Sequence, residues 1–263
     1  MKKLIFLKAI LTSLLMVFIV TPVAMATQIQ IGYLGSDFGM YSYEYDNGYN
    51  GGEFTVQPVG DSTFWAPILS SYSDDPKTKN IGVDGISQTS FQTFCIEKNE
   101  FIAKYPATYS VVFNDNDSAF NGGLGGIDPQ GGDPISKGTA YLYHQFQSGI
   151  LTGYNYNDDR LSTARALQDM IWWLEDEQDT YGPNNPFEQA LIDEFGNLEN
   201  AKLNNDGQYP VWVLNLYNYN DTNPFRQDLL VCDPTPVPEP ATMLLLGSGL
   251  IGLAGLARRK FRK

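Results

Sequence analysis

The last stretch of the chain, VPEPATMLLLGSGLIGLAGLARRKFRK from Val237 to Lys263, has no place in a water-soluble core and so limits the fold to what precedes it. Pro238-Glu239-Pro240 bars helix at its start, because each proline lacks an N–H and disfavours helical backbone in the residue before it. From Ala241 to Ala257 run 17 residues without a charge, closed by Arg258, Arg259, Lys260, Arg262 and Lys263. As a helix that run spans about 26 Å, the lower limit for crossing a bilayer's hydrocarbon. Gly247, Gly249, Gly252 and Gly255 would weaken a soluble helix but are tolerated in lipid, and the cationic end stays cytoplasmic. The expectation is a transmembrane helix at 241–257, in the inner membrane.

The N-terminus points the same way. Lys2, Lys3 and Lys8 flank an apolar stretch from Ala9 to Val20, and Ala24-Met25-Ala26 has the small-x-small pattern of a signal peptidase site. Residues 1–26 therefore read as a signal peptide, 27–235 as one secreted domain, and 236–263 as the sorting tail. Of the 17 basic residues, three lie in the leader and five in the tail, whereas 29 of the 30 acidic ones belong to the domain. Nine cations against 29 anions repel nucleic acid and anionic lipid. Such a surface stays dispersed in a polysaccharide gel, or attracts Ca2+ and amine-bearing partners.

Pro238, Glu239 and Pro240, the apolar run and Arg258 and Arg259 together resemble the PEP-CTERM sorting signal of Gram-negative bacteria. The resemblance implies an exosortase-type processing enzyme, a stay in the inner membrane, then residence at the cell surface or in an exopolysaccharide matrix. It implies no activity for the domain.

Within the domain, Gln28–Leu34 and Glu53–Gln57 alternate apolar and polar residues as strands do, and Thr89–Glu97 and Tyr109–Phe113 read likewise. Tyr41, Tyr43 and Tyr45 share one face of an extended stretch, as a sugar-stacking platform or as ordinary sheet packing. Residues 70–87 read as a loop. Lys137–Leu151 then carries Ala140, Tyr143, Phe146 and Ile150 at helical spacing behind a capping Ser136. Ala164 to about Glu177 carries Ala164, Leu167, Ile171 and Leu174 as one stripe, with Met170 and Trp173 beside it and Asp159 or Ser162 as cap. A third helix runs from Pro186 to a stop at Gly196, and strands return at Tyr209–Tyr217 and Asp228–Cys232. The fold class predicted is α+β: a β-sandwich or barrel with a helical insertion at about 137–197.

Two segments stand out together, Phe94-Cys95-Ile96-Glu97 on a strand and Leu167-Gln168-Asp169-Met170-Ile171-Trp172 on a helix. They resemble the signature motifs of bacterial thioester domains, adhesin modules in which a strand cysteine and a helix glutamine cross-link. Leu167 and Met170 depart from that pattern, where Thr and Ala are usual. The resemblance implies a bond between Cys95 and Gln168, with Phe94 and Trp172 sheltering it, and an amine- or hydroxyl-bearing macromolecule as partner. Thiolate attack on the carboxamide expels ammonia and needs both direct contact and exclusion of water. Two plainer readings stand beside it. Export favours disulfides, so Cys95 and Cys232 could bridge, in a module that holds polysaccharide by its tyrosines. Gln168 could instead be a buried amide capping strand ends.

Signals for catalysis are weak. Glu175, Glu177, Asp176 and Asp179 read as a solvated charge run. His144 has no nucleophile motif near it, and reads as an ordinary, partly exposed helix residue. No serine-hydrolase elbow, zinc-protease, phosphate-loop or CxxC pattern is present. Asn114–Asp117 could hold Ca2+ but lacks the EF-hand spacing and reads as a turn. No cofactor and no metal are expected. The function expected is that of a secreted, surface- or matrix-associated, non-enzymatic protein.

Overall fold

The computed structural model describes residues 27–31, 43–44, 52–60, 62–72, 79–81, 89–98, 100, 102, 107–113, 118–120, 132–157, 159–205, 207–218 and 226–232. The leader at 1–26, the tail at 236–263, Tyr41, Tyr45 and the run 114–117 lie outside them. Among the described residues no helix is long and apolar enough to cross a membrane.

Antiparallel strands dominate. In chain order they are β1 (Gln28–Ile31), β2 (Tyr43–Glu44), β3 (Gly52–Val59), β4 (Lys79–Ile81), β5 (Thr89–Phe94), β6 (Ala107–Phe113), β7 (Ser118–Ala119), β8 (Asp133–Pro134), β9 (Val211–Tyr217) and β10 (Leu229–Cys232). One sheet runs in the order β10-β9-β6-β1-β3-β5-β4, with β2 against β3. Its far members meet again, since Cys95 bridges Leu229 and Ile96 N–H donates to Asp228 O at 3.0 Å. The result is a nearly closed barrel. Alternation behaves as expected in β1, where Ile29 and Ile31 are fully buried. From Gly52 to Gln57 β3 is buried on both faces, which suits a strand with barrel interior on one side and helices on the other.

Between β3 and β4 lies α1 (Ser62–Ser70), a helix that the sequence reading did not contain. Trp65, Ile68 and Leu69 do keep helical spacing, but the segment is short and Pro67 interrupts it. Trp65 and Ile68 are buried, and the Trp65 and Tyr72 rings pack on Phe91 at 6.2 and 4.9 Å. Part of the expected loop at 70–87 is strand β4.

The insertion between β8 and β9 holds α2 (Lys137–Gln147), α3 (Arg160–Leu174), α4 (Glu188–Phe195) and α5 (Leu198–Ala201). Ser136 caps α2 by accepting from Thr139 N–H at 3.1 Å. Ala140, Tyr143 and Phe146 are buried, but Ile150, expected on the same stripe, is 64% exposed because the helix stops at Gln147 and Gly149 turns with φ +73°. Helix α3 begins four residues earlier than its apolar stripe, and Asp159 at its start makes no side-chain cap. Gly196, at φ +81°, ends α4 as expected, and the helix begins two residues after Pro186.

Candidate functional site

Helix α3 is pinned to the sheet at two points. At its first turn Arg160 is buried against Glu53 of β3: its Nε donates to Glu53 Oε2 at 2.8 Å, its other arm pairs with Oε1, and Tyr154 Oη donates to the same carboxylate at 2.5 Å. Two turns later Gln168, fully buried, reaches the point where the sheet splits.

The split has a simple cause. β3 and β5 pair as far as Glu53 opposite Phe94. Beyond that pair Gly52 joins β2 and Cys95 bridges β10, so backbone groups that would have faced each other are parted. The carboxamide of Gln168 fills the gap. Its Oε1 accepts from Gly52 N–H at 3.0 Å and from Cys95 N–H at 3.1 Å, and its Nε2 donates to Cys95 O at 2.8 Å. Gly52 has φ +119°, a conformation that a side chain would disfavour, and this aims its N–H at the amide.

The structure thus brings Cys95 and Gln168 together across 73 residues. Trp172, one turn further along α3, is buried beside the segment that follows Cys95: Lys98 Nζ lies 5.5 Å over its ring, and Lys98 N–H donates to Glu177 Oε2 at 3.0 Å. Phe94 turns elsewhere. Its ring packs edge-on against Phe146 at 5.0 Å, and strand alternation sets it on the face opposite the Cys95 side chain.

Cys232 is also buried, with a free thiol, like Cys95. The strand register separates the two. Cys95 stands opposite Leu229 and Cys232 lies three residues further along β10, about 10 Å away at strand spacing and beyond disulfide reach. Cys232 is held in the sheet: it pairs with Val211, and its N–H donates to Tyr72 Oη at 3.3 Å.

Burial governs the protonation of the site. Cys95's thiol is pushed well up by desolvation, and the charge of Glu97 adds to the effect. Glu97 is raised to about 10, first by desolvation and then by Asp228, Glu100 and Glu177. The charge run after α3 divides: Asp176 and Asp179 are exposed as expected, whereas Glu175 and Glu177 are not. Glu175 is buried, accepts from Ser136 N–H and Oγ at 3.1 and 2.8 Å, and is raised to about 7 by desolvation. Glu177 is buried too. Sequence reasoning missed these carboxylates because their partners, Ser136 and Lys98, lie 39 and 79 residues away. His144 sits half-buried on α2, lowered by burial. Among the described residues no group of three metal-ligating side chains gathers.

The tail carries a likeness to known proteins, through its proline pair, uncharged run and basic end. Residues 236–262 match the PEP-CTERM protein-sorting motif. The PEP-CTERM motif marks an exported protein of a Gram-negative bacterium, anchored in the membrane and then sorted to the surface by an exosortase. No curated protein and no solved structure matches the chain. The role of the domain in front of the PEP-CTERM motif therefore rests on its own geometry.

Proposed function

We propose that this exported protein is a non-enzymatic surface or matrix adhesin that attaches covalently through an internal thioester between Cys95 Sγ and Gln168 Cδ. One observation carries the reading: Gln168 Oε1 sits between two backbone N–H donors, Gly52 at 3.0 Å and Cys95 at 3.1 Å, beside the cysteine itself. Attack at Cδ places negative charge on that oxygen, and paired N–H groups at such distances stabilise it as an oxyanion hole does. The S–H and C–N bonds break, the S–C bond forms, and the amide nitrogen leaves as ammonia. The acyl group is then armed for transfer to an amine or hydroxyl of a partner macromolecule, which frees the thiol. Burial of Gln168 and Trp172 slows competing hydrolysis. The acidic surface of the domain favours amine-bearing partners over anionic ones.

A second reading has its own support. The carboxamide makes three hydrogen bonds to the parted strands, which suffices for a structural staple. Intact mass separates the two. Thioester formation lowers the mass of the purified protein by one ammonia, methylamine then adds its whole mass, and Cys95→Ala abolishes both changes. An unmodified mass for the folded protein overturns the thioester and leaves the staple.

A further inference from the structure

Gln168 commits one face of α3 to the sheet, and a second face of the same helix borders a cleft of about 390 Å3. Ser162, Arg165, Ala166 and Asp169, three or four residues apart, form one wall of it, and the loop 181–186 forms the other. Both walls are braced. Asn185, buried, donates from Nδ2 to Ala166 O at 2.7 Å and to Tyr181 O at 3.0 Å, and its Oδ1 accepts from Phe187 N–H at 3.1 Å. The Tyr181 ring packs edge-on with Trp173 at 4.8 Å, and its hydroxyl faces the Glu188 carboxylate. Gln178 Nε2 donates to Asp169 O at 2.8 Å and reaches Asp169 Oδ1 at 3.4 Å. Walls set in advance lower the entropic cost of taking a ligand.

Asn184 singles this cleft out. It adopts φ +56°, a left-handed backbone in which glycine is free of strain and a side chain is not. Gly182, two residues earlier, meets a like demand at φ +78° with glycine. Asparagine at 184 therefore costs some stability and leaves a carboxamide on the cleft wall, and strain of this kind gathers at binding sites.

The chemistry of the walls selects the ligand. Arg165 and Asp169 are opposite charges one helical turn apart, so together they add no net charge to the cleft. Ser162 and Asn184 each donate and accept. Tyr181 adds an aromatic ring. An amine meets Arg165, an anion meets Asp169 and an acidic domain, and an acyl chain finds little apolar surface. A zwitterion would have to shed water from two charges at once. A neutral sugar ring fits, because its hydroxyls donate and accept together and its C–H face can lie on an aromatic ring.

We propose that this cleft binds a neutral sugar unit of a polysaccharide. Arg165 and Asp169 pair with adjacent hydroxyls, Asn184 takes a third, and the ring lies against Tyr181. The cleft opens to solvent, so the unit can belong to a longer chain. This goes beyond the chemistry of Cys95 and Gln168 and holds whether or not the thioester forms.

The test is saturation-transfer NMR on the full chain, in a detergent without a sugar headgroup, with cello-, malto-, xylo- and mannotetraose as probes. Transfer to at least one is expected, with a dissociation constant of about 1 mM, the range open to a ligand that buries one ring. Asn184→Gly removes the carboxamide and suits the left-handed backbone, so it should keep or raise the Tm and weaken binding about fivefold. Tyr181→Leu should weaken it about tenfold. Ala166→Phe fills the cleft without removing a polar group and should abolish binding. Trigalacturonate, an anionic sugar, and glycine, a zwitterion, should not bind. Absence of transfer to all four neutral probes overturns the proposal, as does equal or tighter binding of trigalacturonate or glycine. Unchanged binding in both Ala166→Phe and Asn184→Gly also overturns it, since the sugar then sits elsewhere. Intact mass of the same samples reports the thioester separately.

Discussion

Arg160 Nε donates to Glu53 Oε2 at 2.8 Å, and both side chains are wholly shielded from solvent. This buried pair fixes the start of α3 on β3, next to Gly52, and so sets where Gln168 arrives two turns later. Removing one partner leaves the other charge buried alone. Arg160→Met and Glu53→Ala are each expected to cost about 3–5 kcal/mol, read from urea unfolding. Both changes should also lower the yield of ammonia loss, because the carboxamide loses its register. A cost below about 1 kcal/mol would mean the pair does not hold the helix.

Gly52 is the one residue of β3 that must adopt positive φ while giving its N–H to Gln168. Gly52→Ala is expected to destabilise the domain by about 1–3 kcal/mol through backbone strain. It should slow ammonia loss by on the order of a hundredfold, the usual effect of losing an oxyanion donor. Time-resolved intact mass checks the second effect and urea unfolding the first. Loss of stability with an unchanged rate would remove Gly52 from the chemistry.

Stability should rise as the solution is acidified. Glu175 is raised to about 7 and Asp133 to about 6, both chiefly by desolvation, so the folded state holds these protons more tightly than the unfolded chain. Their stabilisation is complete below the ordinary carboxylate range and is lost as pH climbs through those raised values. Glu97, raised to about 10, extends the decline further. Thermal unfolding should give a higher Tm at about pH 5 than at about pH 8, and Glu175→Gln should flatten that difference. A Tm that increases with pH over this range would contradict the burial of these groups.

Cys232 is buried but lies beyond disulfide reach of Cys95. Cys232→Ala is expected to cost about 1 kcal/mol for the small void it leaves and to have no effect on ammonia loss. Mass under non-reducing conditions decides the alternative. A wild-type protein lighter by two hydrogens, with that difference abolished in Cys232→Ala, would establish a bridge and displace the thioester.

The tail should act independently of the domain. Replacing Pro238, Glu239 and Pro240 together by alanine is expected to leave the protein uncleaved in the inner membrane of a host that has an exosortase, with ammonia loss unchanged. Fractionation and intact mass read the two outcomes separately. Normal surface delivery of this variant would remove the triplet from sorting.

Much of the fold was legible because it is written in neighbouring residues. The alternation of Gln28–Ile31, the Ser136 cap and the left-handed Gly196 stop act over one to four positions. The α1 helix was not legible, since Pro67 breaks its pattern and its support comes from Phe91 and Tyr72. The buried carboxylates Glu97, Glu175 and Glu177 were not legible either. An acidic residue read by itself looks solvated, and whether it is depends on what packs over it. At the candidate site the partners Cys95 and Gln168 were suggested by motif, but the role given to Phe94 was not met, since its ring packs on Phe146 instead.

Sequence alone determined the address, because a continuous uncharged run with a proline pair before it and five cations after it acts through its own composition, whatever the domain does. It also determined most strands and helices, whose periodicities are local. Only the tertiary structure decided that β3 and β5 part at Gly52 and Cys95, that Gln168 enters that gap, and that Cys232 falls too far along β10 to compete. Those outcomes depend on contacts between residues far apart in the chain, Gln168 with Cys95 and Gly52 at 73 and 116 positions and Cys95 with Leu229 on β10, which packing selects and no local pattern encodes.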